Sequence, residues 1–146
     1  MAYEILENNI DEEEIILAGI MENGAVVAGM LQIILEEISS LKTQLITLKL
    51  DKKKPGKVLV EPVVDFNNKV IIVVDDVSNS GKTLLYALKP FLEFQPKKVR
   101  TLVLVERSHT SFPVRPDYVG LSVATTVQEH IYVEVKDGEL IGAYME

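Results

Sequence analysis

Three apolar runs and one periodic segment dominate the hydrophobic pattern of this chain. Residues 70–74 read Val-Ile-Ile-Val-Val and leave no polar face, which is typical of a strand buried on both sides of a parallel sheet. Residues 15–20 and 99–105 are predicted as two further buried strands. Between residues 26 and 38 apolar side chains recur every three or four positions, which predicts an amphipathic helix. The predicted apolar face of this helix consists of Val26, Val27, Met30, Leu31, Ile34, Leu35 and Ile38.

Shorter segments complete the predicted sheet. Four more strands are expected at residues 45–50, 58–64, 118–123 and 131–135. Pro62 indicates an edge strand or a bulge, and Pro90 should end or kink the helix that follows the central strand. Asp137-Gly138, between apolar residues, predicts a hairpin turn. The strand–helix–strand order at the centre of the chain implies a right-handed crossover, so the predicted class is α/β with a mainly parallel sheet.

Length, charge and residue usage narrow the class of protein. The 146 residues suffice for one domain, which is expected to span residues 1–146. A formal net charge of −7 disfavours nucleic acid, RNA included, as a partner, because phosphate backbones repel an anionic protein. The chain has no cysteine, which excludes disulfides and thiolate metal sites. It has only two histidines, His109 and His130, which excludes a three-histidine zinc site. No apolar run reaches the roughly 18 residues of a membrane span, and the N-terminus lacks a basic secretory start, so a cytoplasmic protein is expected.

The segment from Asp75 to Thr83 concentrates the residues that carry chemistry. It lies between a buried strand and a helix, and open parallel sheets bind ligands beyond the carboxyl ends of their strands. Small and hydroxyl-bearing residues followed by Lys82 favour a loop whose N–H groups bind a phosphate. Asp75 and Asp76 would repel phosphate, so we expect them to face ribose hydroxyls or a Mg²⁺ ion on the same ligand. Together these features indicate a ribose 5-phosphate group.

Two other interpretations of this segment stay open. Gly81-Lys82-Thr83 matches the end of a P-loop, but that motif needs a glycine at the position of Asp76, which disfavours a nucleoside triphosphatase. The segment would otherwise be a polar strand-to-helix turn with an aspartate cap, although two adjacent acids followed by Ser-Asn-Ser-Gly-Lys-Thr exceed what a cap needs.

Residues 70–83 resemble the signature of the type I phosphoribosyltransferases, which consists of a hydrophobic strand, two acids and a small-residue loop ending in Thr-Gly-Lys/Arg-Thr. Further along, Glu-Arg-Ser-His at 106–109 and Phe-Pro-Val-Arg-Pro-Asp-Tyr-Val-Gly at 112–120 are similar to the segment that follows the signature in the pyrimidine-operon attenuator/uracil phosphoribosyltransferase branch. The resemblance extends over residues 15–135, most of the chain.

This resemblance implies a fold and a reaction. The fold is a five-stranded parallel core with helices on both faces and a small hood over the base site. The reaction transfers the phosphoribosyl group of 5-phosphoribosyl-1-pyrophosphate, with Mg²⁺, to a nucleobase, and the nucleoside monophosphate is the other expected ligand. A homodimer or a larger homo-oligomer is also implied.

The resemblance further assigns roles to residues. The candidate catalytic residues are Asp75, Asp76 and Asn79, of which the two acids would bind the ribose hydroxyls and, through ribose or water, the metal. The 5-phosphate would be held by Ser78, Asn79, Ser80, Gly81, Lys82 and Thr83. The pyrophosphate would lie at Glu22, Asn23 and Gly24, and the base beside Arg107 and Val127. The lysine-rich segment at residues 47–54 would correspond to the mobile loop that closes over the donor.

Three segments depart from the family pattern. The pyrophosphate loop, usually Arg-Thr-Arg-Gly in this branch, reads Met21-Glu22-Asn23-Gly24 and contains no cation. Asn79 replaces an aspartate that can serve purine members as general base. Because an amide takes no proton at neutral pH, this change favours uracil as acceptor, or a regulatory protein that binds donor or nucleotide without turnover. Residues 2–9 resemble only the last two turns of the family's N-terminal helix, so that helix is expected to be truncated.

Overall fold

A computed structural model of the chain describes residues 1–126 and 128–146. The helices are α1 (Ala2–Asn8), α2 (Asn23–Ile38) and α3 (Lys82–Ala87), followed by a short 3₁₀ helix (Lys89–Glu93). The strands are β1 (Glu14–Ile20), β2 (Lys42–Lys49), β3 (Leu59–Glu61), β4 (Val70–Ser78), β5 (Lys98–Arg107), β6 (Tyr118–Val123), β7 (Ile131–Lys136) and β8 (Glu139–Met145). No helix in the described ranges is long and apolar enough to cross a membrane.

Six strands form the main sheet, in the order β3-β2-β1-β4-β5-β6. The strands β2, β1, β4, β5 and β6 run parallel, whereas β3 pairs antiparallel with β2 at the edge. The α/β class and the parallel core are confirmed, but the sheet has six strands rather than the five expected. The sixth strand covers only three residues of the predicted 58–64 segment, and Pro62, which has no N–H to donate, follows it directly.

Helices cover both faces of the main sheet, as the resemblance implied. On one face, α1 and α2 pack over Val70, Ile72 and Val74 of β4. On the other face, α3 and the 3₁₀ helix pack over Ile71 and Val73. Because successive side chains of a strand point to opposite faces, this all-apolar run contributes to both cores at once.

The buried face of α2 is narrower than the sequence pattern predicts. Val27, Leu31 and Leu35 are buried in the core between α2 and the sheet. Met30 and Ile34, in contrast, are 37% and 41% exposed. The helix contacts the sheet through one stripe of side chains, and apolar positions outside that stripe stay at the surface. The prediction of a single apolar face is therefore wrong for these two residues.

Strand β4 extends further than its apolar run predicts. It continues through Asp75 and Asp76 and remains paired with β5 as far as Ser78 opposite Glu106. Both acids therefore lie within the strand, beyond which the sequence pattern had placed them. The connection to α3 is reduced to residues 79–81, and α3 ends at Ala87, before Pro90, as expected.

The C-terminal strands β7 and β8 form a separate two-stranded antiparallel sheet. The predicted hairpin turn is confirmed, because Asp137 and Gly138 have φ values of 52° and 76°. Positive φ at both central residues is the requirement of a type I′ turn. This hairpin corresponds to the expected hood and is called the hood below.

Candidate active site

A cavity of about 340 Å³ lies at the carboxyl end of β4. Its walls come from the start of α2, the lysine-rich loop after β2, the β4–α3 connection and hood strand β7. Of the residues predicted for the site, the cavity is lined by Asn23, Asp76, Ser78, Asn79, Ser80, Gly81 and Thr83. The fold therefore brings most of the predicted donor-binding residues together around one space.

Lys52 neutralises the two acids of β4. Its Nζ donates hydrogen bonds to both carboxylate oxygens of Asp75, at 3.0 and 3.3 Å, and lies 3.7 Å from Oδ1 of Asp76. Asp75 is 1% exposed and Asp76 is 7% exposed. Carboxylates with so little access to water are costly to bury without a cation or hydrogen bonds. Lys52 is thus the internal counterion of the acid pair.

The two carboxyl groups have different proton affinities. Burial raises the pKa of Asp75 from an ordinary 3.8 to about 7, an effect that Lys52 opposes and the charge of Asp76 reinforces. For Asp76, burial acts in the same direction, but hydrogen bonds with Asp75 and Asn23 and the charge of Lys52 outweigh it, so its pKa is lowered. Burial likewise acts to lower the pKa of Lys52, yet the two carboxylates raise it. Near neutral pH, Asp76 is therefore ionised while Asp75 is partly protonated.

The β4–α3 connection supplies unpaired hydrogen-bond donors to the cavity. Within residues 1–126 and 128–146, the backbone N–H groups of Ser80, Gly81 and Thr83 have no acceptor. Ser78 is 3% exposed, and its Oγ also lacks a partner within those ranges. Buried polar groups are normally hydrogen-bonded, so this concentration of free donors indicates a site for an anion such as phosphate.

Gly81 allows this connection to be tight. Its φ of 84° is in the left-handed region, and an added Cβ would lie 3.0 Å from the carbonyl oxygen of Val114 and 3.3 Å from that of Phe112. The carbonyl of Ser80 accepts hydrogen bonds from the N–H groups of Ser111 and Phe112, both at 3.0 Å. The loop is therefore braced from outside, which keeps its free donors in place.

The predicted pyrophosphate loop leads into α2 and lies directly against the acid pair. A Cβ on Gly24 would come within 2.5 Å of the carbonyl oxygen of Val74 and 3.0 Å of the Cα of Asp75. Asn23 Nδ2 donates to Oδ2 of Asp76 at 2.8 Å. Glu22 is exposed and does not contribute to the described cavity wall. The structure therefore brings Asn23 and Gly24, but not Glu22, to the acids.

Asn79 contacts the hood. Its Oδ1 accepts a hydrogen bond from the N–H of Ile131 at 3.3 Å, and its Nδ2 donates to the carbonyl of Ile131 at 3.4 Å. Asn23 makes a second link, since its Nδ2 also donates to the carbonyl of Val133 at 3.1 Å. Strand β7 thus forms a cavity wall that the sequence reasoning missed, because nothing in residues 131–133 marks them as polar site residues.

Arg107 and Lys82 lie away from the described cavity wall. Arg107 donates from Nε to Oγ1 of Thr125 at 2.7 Å and from Nη2 to the carbonyl of Thr126 at 2.9 Å, so it braces the connection between β6 and β7. Lys82 begins α3 without lining the cavity. Val127, expected on the base side, lies outside the described residues. Direct ligand contacts of these three residues stay predictions.

The family resemblance placed the lysine-rich loop at the donor, but nothing in the sequence singled out Lys52. Three consecutive lysines follow Asp51, and their sequence offers no basis for choosing among them. The only available signal was the general need of two buried acids for a cation.

Comparison of the sequence with known proteins supports the family predicted from the signature. The family described as the phosphoribosyl transferase domain matches residues 1–137. The bifunctional protein PyrR of Streptococcus pneumoniae (strain CGSP14) is 34% identical over 142 residues, which cover 94% of this chain and 82% of that protein. The predicted family and its PyrR-like branch are confirmed.

Comparison of the fold with solved structures agrees. The hypoxanthine phosphoribosyltransferase of Trypanosoma cruzi superimposes with a TM-score of 0.73 at 15% identity, covering 84% of this chain and 72% of that chain. A hypoxanthine-guanine phosphoribosyltransferase of Bacillus anthracis gives a TM-score of 0.71 at 23% identity, with coverages of 89% and 74%. At these identities the likeness shows a shared fold. Sequence and fold together show that the chain belongs to the phosphoribosyl transferase family of pentosyltransferase enzymes.

Proposed function

We propose that this protein transfers the phosphoribosyl group of 5-phosphoribosyl-1-pyrophosphate to a nucleobase, with uracil as the acceptor. The observation that carries the proposal is the composition of one cavity. The buried acid Asp76, a loop with unpaired donors and a strand of the hood line the same space. The second acid, Asp75, contacts this wall through Lys52. A phosphoribosyl group needs these chemistries side by side, because its hydroxyls donate to carboxylates and its phosphate accepts from N–H and O–H groups.

The site residues divide between the two ends of the donor. Asp75 and Asp76 accept hydrogen bonds from the ribose hydroxyls, which replace Lys52 at the carboxylates. The hydroxyl of Ser78 and the N–H groups of Ser80 and Gly81 hold the 5-phosphate. This assignment is supported by the unpaired state of all three donors in the described chain. Two predicted contributors to phosphate binding, Thr83 and Lys82, lie at the start of α3.

The reaction breaks the bond between ribose C1 and a pyrophosphate oxygen and forms a bond from C1 to a ring nitrogen, which loses its proton to solvent. Positive charge develops on the sugar and negative charge on the leaving pyrophosphate, so catalysis consists mainly of positioning and of charge stabilisation. Asp75 and Asp76 orient the sugar. Lys52, displaced from the acids by the ribose, is available to the negative charge of the leaving group.

Mg²⁺ fits these residues as an ion shared with the donor. Within the described ranges, no three histidine or acidic side chains come together to hold a metal. Mg²⁺ usually takes one or two carboxylates together with substrate phosphates, and the acid pair offers such oxygens through ribose or water. When bound, the ion would neutralise charge on the pyrophosphate.

Uracil is favoured over a purine by the chemistry of Asn79. An amide cannot accept a proton at neutral pH, and this one is engaged with Ile131. Uracil, which is itself weakly acidic, needs less help in losing its ring proton. The resemblance of residues 106–120 to the uracil-specific branch, and the 34% identity to PyrR, point in the same direction.

Calorimetric titration tests the proposal. The protein is titrated with 5-phosphoribosyl-1-pyrophosphate and Mg²⁺, and then with uracil or, in a parallel run, hypoxanthine. We expect donor binding, then heat of reaction and release of pyrophosphate with uracil only. Reaction with hypoxanthine alone would contradict the acceptor assignment, and absence of donor binding would contradict the proposal as a whole.

A second function is favoured by the pyrophosphate loop. Met21-Glu22-Asn23-Gly24 contains no cation, and Lys52 is engaged by the acids. A regulatory protein that binds donor or nucleoside monophosphate without turnover would tolerate both features. It would bind the donor in the same titration, or uridine monophosphate in an additional run, and addition of a base would release no pyrophosphate.

A further inference from the structure

Among the residues that the structure describes, the hood has no hydrogen-bonded strand neighbour in the main sheet. Strands β7 and β8 pair only with each other, and a two-stranded sheet is at best marginally stable by itself in water. Every residue of β8 is exposed except Leu140, which is partly buried. The position of the hood over the cavity therefore depends on the contacts made by β7 and on Leu140, which packs against the core.

Asn79 pairs with β7 as a neighbouring strand would. Its side-chain amide accepts from the N–H of Ile131 and donates to the carbonyl of the same residue. An amide side chain supplies both functions, whereas a carboxylate would accept from the N–H but could not donate to the carbonyl. Asparagine therefore has a structural role at this position, where the purine members of the family have an aspartate.

Asn23 joins β7 to the acid pair. Its Nδ2 carries two hydrogens, and it donates to Oδ2 of Asp76 at 2.8 Å and to the carbonyl of Val133 at 3.1 Å. The amide therefore spans the ribose-binding side of the cavity and the hood. Replacement of this residue would release the hood and a ribose-binding carboxylate together.

Both asparagines bind the edge of β7 that faces away from β8. His130 and Glu146 exchange backbone hydrogen bonds at 2.8 and 3.0 Å. Because such pairs alternate along antiparallel strands, the backbone groups of Ile131 and Val133 point to the opposite edge. The two amides thus lie two residues apart along one edge, at the cavity wall.

We propose that Asn79 and Asn23 are positioning residues that fasten strand β7 as the base-side wall of the cavity, and that Asn23 couples this wall to Asp76. This inference extends the proposed function. Its consequence for the acceptor rests on that proposed function. This edge of β7 lines the cavity through Ile131, Tyr132 and Val133, and the family resemblance places the base beneath the hood. Fixing that edge fixes the acceptor relative to ribose C1.

Hydrogen exchange tests the fastening without any need for turnover. In the complete chain, Asn79→Ala should accelerate exchange of the Ile131 amide roughly threefold to tenfold, the range of one hydrogen bond of ordinary strength. Asn79→Asp, which retains an acceptor for this N–H, should stay within about twofold of the parent. Asn23→Ala should shift the carbonyl ¹³C resonance of Val133. Asn8→Ala, which removes an exposed asparagine at the opposite end of the chain, should change neither signal.

Steady-state kinetics tests the consequence for the acceptor. Asn79→Ala should raise KM for uracil roughly tenfold, with donor affinity unchanged, whereas Asn23→Ala should weaken both donor and acceptor because it touches Asp76. Unchanged Ile131 exchange and Val133 shift would overturn the inference. A fall in kcat with unchanged acceptor KM would also overturn it, since that pattern places Asn79 at the reacting atoms. Suppose that Asn79→Ala speeds Ile131 exchange but the protein transfers the phosphoribosyl group to no nucleobase. This result would uphold the attachment of β7 by Asn79 and would contradict the proposed function instead.

Discussion

At the scale of single residues, the candidate site depends on how Asp75 is neutralised. The residue is almost completely buried, and Lys52 contacts both of its carboxylate oxygens. Lys52 itself is 41% exposed at its side chain, so the pair joins a buried acid to a base that reaches solvent. In such an ion pair the buried carboxylate needs the lysine more than the lysine needs the carboxylate, because desolvation costs the carboxylate more free energy.

Removal of the Lys52 charge should destabilise the free protein at neutral pH. We expect Lys52→Met to lower the free energy of unfolding by about 1–2 kcal/mol, less than for a fully buried pair because Lys52 is partly exposed. Urea unfolding at pH 7.5 measures the change. Lys53→Met, which removes the neighbouring exposed lysine, should stay within about 0.5 kcal/mol of the parent. Equal losses in the two variants would show that Lys52 has no special role.

Asp75 should leave a signature in the pH dependence of stability. Its folded pKa of about 7 exceeds the ordinary 3.8, so between these values the folded state holds a proton that the unfolded state has released. This difference in bound protons lowers the free energy of unfolding as the pH rises from the unfolded pKa to the folded pKa of Asp75. Asp75→Asn removes it, so the unfolding free energy of the variant minus that of the parent should increase from pH 4 to 7 and then level off. A pH-independent difference, measured by urea unfolding at several pH values, would contradict the raised pKa.

At the scale of elements, the close approach of α2 to β4 brings the predicted pyrophosphate loop to the acids. Gly24, in the first turn of α2, lies against the backbone of Val74 and Asp75 with no room for a side chain. The same helix carries a second glycine, Gly29, around which a Cβ would meet nothing within 4 Å. The two positions therefore separate the effect of helix propensity from the effect of contact with the sheet.

Alanine at these glycines should have opposite effects. Gly24→Ala should destabilise the protein by at least about 2 kcal/mol, because the clash is with backbone atoms that cannot change rotamer. Gly29→Ala should stabilise it by about 0.5–1 kcal/mol through helix propensity. Thermal and urea unfolding of both variants measure these changes. Destabilisation of similar size at both positions would refute the close approach of α2 to β4.

At the scale of the whole molecule, the cavity is assembled from the main sheet, the lysine-rich loop and the hood. The parallel sheet directs the carboxyl end of β4 into this space, where open α/β sheets bind their ligands. The hood closes it from the side through the two asparagines. A ligand that contacts all three parts should therefore stabilise the molecule as a unit.

Donor binding should raise the melting temperature through Asp76. At a free concentration of about one hundred times Kd, 5-phosphoribosyl-1-pyrophosphate with Mg²⁺ adds about 2.7 kcal/mol, which corresponds to about 5–10 °C for a chain of this size. Asp76→Asn should abolish the shift, whereas Asp11→Asn, at an exposed residue outside the cavity wall, should retain it. A full shift in Asp76→Asn, measured by differential scanning calorimetry, would contradict the assignment of the ribose hydroxyls to this acid.

Several elements and part of the candidate site could be predicted because their signals are local. The all-β-branched run of β4, the Asp137-Gly138 turn and the helix-ending Pro90 each act through the conformational preferences of adjacent residues. The predicted width of the α2 face was wrong at Met30 and Ile34, because periodicity shows which positions share a face but not how much of that face the sheet covers.

The acid pair, the small-residue loop and the apolar strand before them could be identified from residue type, because these residues are consecutive in the chain. The side chains that complete the cavity are brought together only by the fold. Lys52 meets Asp75 across 23 positions, Asn79 meets Ile131 across 52, and Asn23 meets Val133 across 110. Contacts at such separations are set by how the sheet, helices and hood pack, and a local pattern of residues carries no record of that packing.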